Sequence, residues 1–232
     1  MNYQDRVVCF LDILGFRGLV AATINANGTE AMDCIEHLIK AFEHINWLLD
    51  IDRPEEREGI EITQFSDSVV ISFLETEESG VFHSLLKILW VQMGLGSMGI
   101  LCRGAVTRGK LVHTSKFLFG PGMVDAYVLE SKAALYPRVI LDESIINLGK
   151  KAHASHHGPE HEKESIMNLL GKDLDGMYYI DYIASSQSEW DDDDYYRQYL
   201  TTLQQMVDEG LKSKDLSIVV KHRWLQQKLK NC

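Results

Sequence analysis

Two aspartates stand where a carboxylate is costly to leave unused. Asp12 closes the apolar run Val7-Val8-Cys9-Phe10-Leu11, and Asp67 lies within Gln64-Phe65-Ser66-Asp67-Ser68-Val69-Val70. A lone charge in such surroundings is expensive to desolvate. Two carboxylates brought to one point suit Mg²⁺ or Mn²⁺, which take oxygen ligands and share them with substrate phosphates. Taken singly, Asp12 could cap a turn at a strand end, and Asp67 could serve a hairpin turn, where Asp is favoured. The pair, together with the Gly15-Phe16 turn, favours the metal reading. His153, His156, His157 and His161 also have ligand-like spacing. No Cys joins them and charges surround them, so a solvated loop is the expected reading there.

The elements that must carry these residues follow from periodicity. Arg6–Leu14 reads as a buried strand, and Gly15 permits a sharp turn. Apolar positions at Ile35, Leu38, Ile39, Phe42, Ile45, Leu48 and Leu49 give a helix over Ala31–Leu49. Arg53–Gly59, charged and holding Pro54, reads as a loop. Ile60–Phe65 and Val69–Leu74 form a hairpin with Asp67 at or beside its tip. A helix over Val81–Met93 leads into a strand pair, Ile100–Val106 and Lys110–His113, with Thr107-Arg108-Gly109 between them. Gly120-Pro121-Gly122 opens a helix over Met123–Leu135, and Pro137 blocks its continuation before the strand Arg138–Asp142.

The order β-α-β-β-α-β predicts an α+β, ferredoxin-like fold, an antiparallel sheet with helices on one face and the other face left to bind. The first strand is expected at the sheet centre, next to the strand that follows the helix. Asp12 and Asp67 then reach the same point above the sheet. Beyond residue 150, Met177–Ile183 reads as one more strand, and Tyr195–Leu211 and Leu216–Leu229 as helices. The expected organisation is a core over 1–150 and a C-terminal helical extension over 151–232 packed on the same domain.

Composition narrows the function. A length of 232 residues suits one domain. The formal net charge of −11 repels nucleic-acid phosphates, so no nucleic-acid partner is expected. The longest apolar stretch, Leu85–Leu101, is broken by Lys87, Gln92, Ser97 and glycines, and no membrane span is expected. Cys9, Cys34, Cys102 and Cys232 show no CxxC spacing and read as free thiols of a reducing cytosol. With no signal-peptide pattern at the N-terminus, a cytoplasmic location is expected.

At these motifs a resemblance becomes specific. Phe10-Leu-Asp-Ile-Leu-Gly-Phe16 resembles the strand-and-turn of class III nucleotidyl cyclases, and Ser66-Asp67 resembles their second metal motif, usually Gly-Asp. Arg103-Gly-Ala-Val-Thr-Arg-Gly-Lys110 is similar to the family's R-x-G-[IVL]-x-x-G segment. Phe119–Glu130 and Pro137–Asp142 stand where its last helix and strand stand, so the likeness runs over residues 6–146. The resemblance implies that Asp12, Asp67 and the Ile13 carbonyl hold two divalent ions, Mg or Mn. It implies that the amides of Leu14, Gly15 and Phe16 face a triphosphate, with Ser66 beside it, and that Thr63 takes the base-reading position. It also implies a homodimer with composite sites. A cation is needed near the α-phosphate. Arg103, Lys132 and Arg138 are the candidates, and Arg103 comes first because it opens a strand beside the carboxylate strands.

The departures point within the family. The usual Lys or Glu four residues before the second Asp is Thr63 here, and the usual Asn and Arg of the last helix are missing. Asp125-Ala-Tyr-Val-Leu-Glu130, followed by a Tyr136-Pro-Arg strand start, is similar to the bacterial pyrimidine cyclases of the Pycsar antiphage system. That resemblance implies cyclic UMP made from UTP, with CTP next in order. A purine cyclase and a cyclase-like module that binds nucleotide without turnover are the competing readings.

Overall fold

The computed structural model describes residues 2–50 and 59–230. Positions 53–58 of the expected loop, and Cys232, lie outside the described residues. The strand β1 (Gln4–Ile13) organises the fold. Its Val7–Leu11 run is buried on both faces, as an unbroken apolar run requires. Then come α1 (Phe16–Ala22), α2 (Met32–Leu48), β2 (Ile60–Phe65), β3 (Ser68–Leu74), α3 (Gly80–Ser97) and β4 (Cys102–His113). After these follow β5 (Leu118–Phe119), α4 (Pro121–Ala133), β6 (Val139–Leu141), α5 (Glu143–Lys151) and α6 (Pro159–Asn168). The chain continues with β7 (Leu170–Lys172), β8 (Tyr178–Ile180), α7 (Asp193–Gly210) and α8 (Leu216–Leu229). The strands form one mostly antiparallel sheet in the order β2-β3-β1-β4-β6-β8-β7, with β5 paired to the end of β4.

Three details depart from expectation. First, the neighbour of β1 is β3, the second arm of the hairpin, and β2 lies at the margin of the sheet. Burial explains the choice. Val69–Phe73 of β3 is buried on both faces, whereas β2 is only half-buried along its length. Asp67 still arrives beside Asp12, because the β2–β3 turn lies at the same end as the last residues of β1. Second, Cys102–His113 is one continuous strand and not a strand pair. Thr107, Arg108 and Gly109 stay paired with Val8, Val7 and Arg6 of β1, so there is no turn. Gly109 marks a close approach instead: a Cβ there would stand 3.0 Å from Gly122 Cα of α4.

Third, the helices divide between the two faces. Val7, Cys9, Leu11 and Ile13 pack with β3 side chains against Ala41 and Ile45 of α2 and Val81, Leu85 and Ile88 of α3. On the opposite face Val8, Phe10, Val70 and Leu111 meet Ala126 of α4. Apolar residues alternate onto both faces of the central strands, so both need cover. Fully burying each such side chain stabilises the fold by about 1.5–3 kcal/mol.

The chain beyond 150 adds β8 and β7 to the same sheet, and α5 runs across position 150. Tyr199 of α7 donates its hydroxyl to the Tyr182 carbonyl at 2.8 Å. Arg138 is fully buried and pairs with Asp173 at 2.6 Å and with Asp175. Trp224 of α8 donates to the same Asp173 at 2.6 Å. Arg138 is therefore a buried tie between β6 and the chain from β7 onward, and not a cation for a phosphate. Among the described residues no helix is long and apolar enough to cross a membrane.

Candidate active site

Asp12 is the penultimate residue of β1, on the face it shares with Val8 and Phe10. Paired residues on antiparallel strands share a face. The register therefore sets Ser68 and Arg103 on either side of Asp12. Ser68 donates its hydroxyl to Asp12 Oδ1 at 3.4 Å. The β2–β3 connection is the two-residue turn Ser66-Asp67, with Ser66 in the left-handed region at φ 53°. The Ile13 amide donates to the Asp67 carbonyl at 3.1 Å, which holds the turn against the end of β1. Asp67 thus lies beside the end of β1, near enough for its charge to act on Asp12. Burial, and next the charge of Asp67, push the Asp12 carboxyl above its ordinary range; Arg103 and Ser68 oppose them.

The donor set fits hard divalent cations. Two half-buried carboxylates repel each other here, and a cation between them would relieve both the repulsion and the desolvation. Among the described residues no group of three or more His, Cys, Asp and Glu side chains is arranged to hold a metal ion. Asp12 and Asp67 are the two neighbouring carboxylates that could share such an ion.

Arg103 reaches this point and is already engaged. Its Nε lies 2.6 Å from Glu130 Oε1 and 3.5 Å from Asp12 Oδ2. Its Nη1 donates to the Ala134 carbonyl at 3.5 Å. Glu130 is buried, 2% exposed, on the sheet-facing side of α4. Burial first, and the charge of Asp12 after it, push its carboxyl up, while Arg103 pulls it down. Sequence reasoning did not single out Glu130. A signal was present, because Ala126 and Glu130 are four apart and share the buried side of a helix.

Lys132 stands apart. It is exposed, two residues beyond Glu130 in α4, and two residues turn a helix by about 200°. It therefore points away from the Asp12 face of its own chain. The Leu14 amide is also committed, donating to the Leu101 carbonyl at 2.8 Å. It does not face a phosphate, because the α3–β4 connection already satisfies it. Gly15 takes φ 74° and makes the turn into α1. The amides of Gly15 and Phe16 lie at the open end of that helix, where no intrahelical carbonyl accepts from them. Phe16 packs edge-on to Phe42 and lines with it, Gln64 and Ser66 a recess of about 530 Å³ beside the Asp67 turn.

Thr63 of β2 pairs with Val70, which pairs with Phe10, so Thr63 faces the Asp12 side of the sheet. Its hydroxyl lies 2.9 Å from His113 Nε2, a contact that sequence reasoning missed. The histidines beyond residue 150 do not all lie in a solvated loop, since His161 belongs to α6 and the segment packs on a buried glutamate of that helix. The rings of His156 and His161 pack on His157, which meets buried Glu162 at 2.5 Å.

No family model matches the sequence, and no curated protein matches it. Among solved structures the chain is similar to the monomeric guanylyl cyclase domain of the RhoGC fusion protein from the aquatic fungus Blastocladiella emersonii. Identity is 15%, the TM-score is 0.52, and the likeness covers 78% of this chain and 96% of that one. The adenylyl cyclase CyaB from P. aeruginosa is similar at 14% identity and a TM-score of 0.49, over 77% of this chain and 94% of that one. The first likeness shows the fold: the chain has the α+β architecture of a class III cyclase catalytic domain.

Proposed function

We propose that this chain is a nucleotidyl cyclase that closes UTP into 3′,5′-cyclic UMP and releases pyrophosphate. It would act in the cytoplasm as the second-messenger synthase of a Pycsar-type antiphage system. The observation that supports the cyclase reading is the Asp67 turn held at the end of β1 by the bond from the Ile13 amide to the Asp67 carbonyl, with Asp12 on that strand close enough to feel the charge of Asp67. When bound there, two Mg²⁺ or Mn²⁺ ions would acidify the ribose 3′-hydroxyl and neutralise charge on the leaving pyrophosphate.

The chain's own residues do the positioning. Asp12, Asp67 and the Ile13 carbonyl would hold the ions. The Gly15 and Phe16 amides donate to the triphosphate, with Ser66 beside it. The ribose 3′-oxygen then attacks the α-phosphorus in line. The new O–P bond forms as the bond to pyrophosphate breaks, and the hydroxyl proton leaves to water. Arg103, beside Asp12, would supply positive charge next to the reacting phosphate. Such catalysis is chiefly placement and charge neutralisation.

The site is composite in this reading, built by a homodimer. Support comes from exposed apolar side chains around α4, Val124 at 59%, Tyr127 at 55% and Phe119 at 50%. Thr63, in place of a longer charged residue, supports the pyrimidine choice, UTP before CTP. A purine cyclase finds support in the guanylyl cyclase likeness. A module that binds nucleotide without turnover finds it in the Arg103 contact with Asp12, which sets a fixed cation against a metal carboxylate.

Incubation with each of the four nucleoside triphosphates and Mn²⁺ separates these readings by product. Cyclic UMP is expected to dominate. Binding with no cyclic product would leave the module. Asp67→Asn is expected to lower turnover at least about 10²-fold with an unchanged circular dichroism spectrum. Undiminished turnover in that variant would remove the metal role.

A further inference from the structure

Arg103 stands between two carboxylates. It lies directly across from Asp12 in the ladder of β1 and β4, where opposite charges attract. Yet its Nε is nearer to Glu130 Oε1, at 2.6 Å, than to Asp12 Oδ2, at 3.5 Å. Its Nη1 turns to the Ala134 carbonyl at the C-terminal end of α4, and the carbonyl end of a helix favours a cation. Among the described residues neither Arg103 Nε nor Glu130 Oε1 has an aligned hydrogen-bond partner. The contact between them is therefore one of charge, and the nearer carboxylate sets how the guanidinium lies.

Glu130 is the fixed member of the pair. It is buried on a helix that sits close on the central strands. Ala126, one turn earlier, is fully buried beside Val8 and Phe10 of β1. At the start of α4, Gly122 stands against Gly109 of β4, and the Thr107 hydroxyl donates to the Gly122 carbonyl at 3.2 Å. Tyr127 meets Phe10 edge-on at 5.9 Å between ring centroids. A close-packed helix leaves a buried side chain little room to shift. Arg103, longer and only partly buried, is the partner that can move.

Two cations compete for Asp12, the neighbouring Arg103 and an incoming divalent ion. A guanidinium closed on the carboxylate would take the oxygens that the ion needs, in one of the stronger kinds of hydrogen bond. Glu130 offers that guanidinium another place. With Arg103 drawn to α4, Asp12 is left with long contacts, to the Ser68 hydroxyl at 3.4 Å and to Arg103 Nε at 3.5 Å. Its oxygens are lightly held.

We propose that Glu130 holds Arg103 against α4 and off Asp12, and so keeps Asp12 open to a divalent cation. Glu130 is a positioning residue: it acts through Arg103 and takes no ion itself. This inference rests on the metal reading of Asp12 and Asp67 above.

The experiment titrates Mn²⁺ alone into the wild-type protein and follows the electron paramagnetic resonance signal of the free ion. The same titration is made on Glu130→Gln, Arg103→Gln, the double variant and Asp67→Asn, with circular dichroism as the check on folding. Glu130→Gln frees Arg103 to close on Asp12 and is expected to raise Kd for Mn²⁺ about tenfold, the worth of one hydrogen bond to a charged group. With Arg103 already replaced, the loss of Glu130 should matter little: the double variant is expected within about twofold of Arg103→Gln. A Glu130 that acted by its charge alone, or as a ligand, would weaken binding equally in both backgrounds, and that result would overturn the inference. An unchanged Kd in folded Glu130→Gln would do the same. Should Glu130→Gln fail to fold, Arg103→Gln and the double variant still decide, since equal affinities support the inference and unequal ones refute it. All these results leave the metal reading intact. Wild-type protein that binds no Mn²⁺, or binds it undiminished by Asp67→Asn, would instead defeat the metal reading and this inference with it.

Discussion

Asp12 sits in its site at a cost to the fold. Burial first, and Asp67 after it, hold its carboxyl above the ordinary range. A carboxyl whose folded value exceeds its unfolded one binds more protons when folded, so its contribution to stability falls as pH rises through that interval. The penalty is present above the raised value and absent below about pH 4, where the unfolded group is protonated too. Asp12→Asn is therefore expected to raise Tm of the metal-free protein at neutral pH while abolishing turnover. Thermal melts at pH 7 and below pH 4 check it: the gain should vanish at the lower pH, and a lower Tm at neutral pH would count against this account. Asp12 and Asp67 were legible in the sequence because each interrupts or ends an apolar run. Glu130 and His113 were not singled out. Each gains its meaning from a partner on another element, Arg103 for Glu130 and Thr63 with Ser72 for His113; helical spacing put Glu130 on the buried side of α4 but named no partner for it.

At the scale of elements, the turn from β1 into α1 depends on Gly15. Its φ of 74° lies in the left-handed region, and a Cβ there would meet nothing within 4 Å. The cost of a side chain is thus conformational alone, about 1–2 kcal/mol. Gly15→Ala is expected to lose that much stability in urea denaturation. It should also raise KM for the triphosphate, because the Gly15 and Phe16 amides shift with the turn. A loss beyond about 3 kcal/mol would mean a steric clash that the geometry does not contain. Most elements were legible from apolar periodicity, as in α2, whose expected span differs from Met32–Leu48 by one residue at each end. One misread element was β4, and another was α6, whose start was expected as a solvated loop. Thr107-Arg108-Gly109 has the composition of a turn, but the ladder to β1 holds it extended. Local turn chemistry lost to pairing with a central strand.

At the scale of the whole molecule, Arg138 ties β6 to Asp173 and Asp175, and Trp224 and Lys228 of α8 close on Asp173. Burial raises the Asp173 carboxyl, but the Trp224 bond, a backbone amide and the nearby cations bring it below its ordinary range. The Arg138 bond brings Asp175 down as well. A carboxyl lowered by folding stabilises above its unfolded value, and that stability is lost as pH falls through the lowered one. Asp173→Ala leaves the buried Arg138 with less compensation and is expected to cost about 3 kcal/mol. Chemical denaturation at pH 7 and pH 3 checks both parts: the deficit should shrink in acid. No motif in the sequence paired Arg138 with residues 35 and 37 positions away, so it stood among three candidates for a phosphate cation. The sheet order has one more outcome. Asp12 belongs to β1, enclosed by neighbours on both sides, whereas Thr63 belongs to the marginal β2. On the proposed reading, the reaction chemistry is lodged in an enclosed strand and the choice of nucleobase in a marginal one. On that reading, a change of base preference on the outer strand leaves the strand that writes the message untouched.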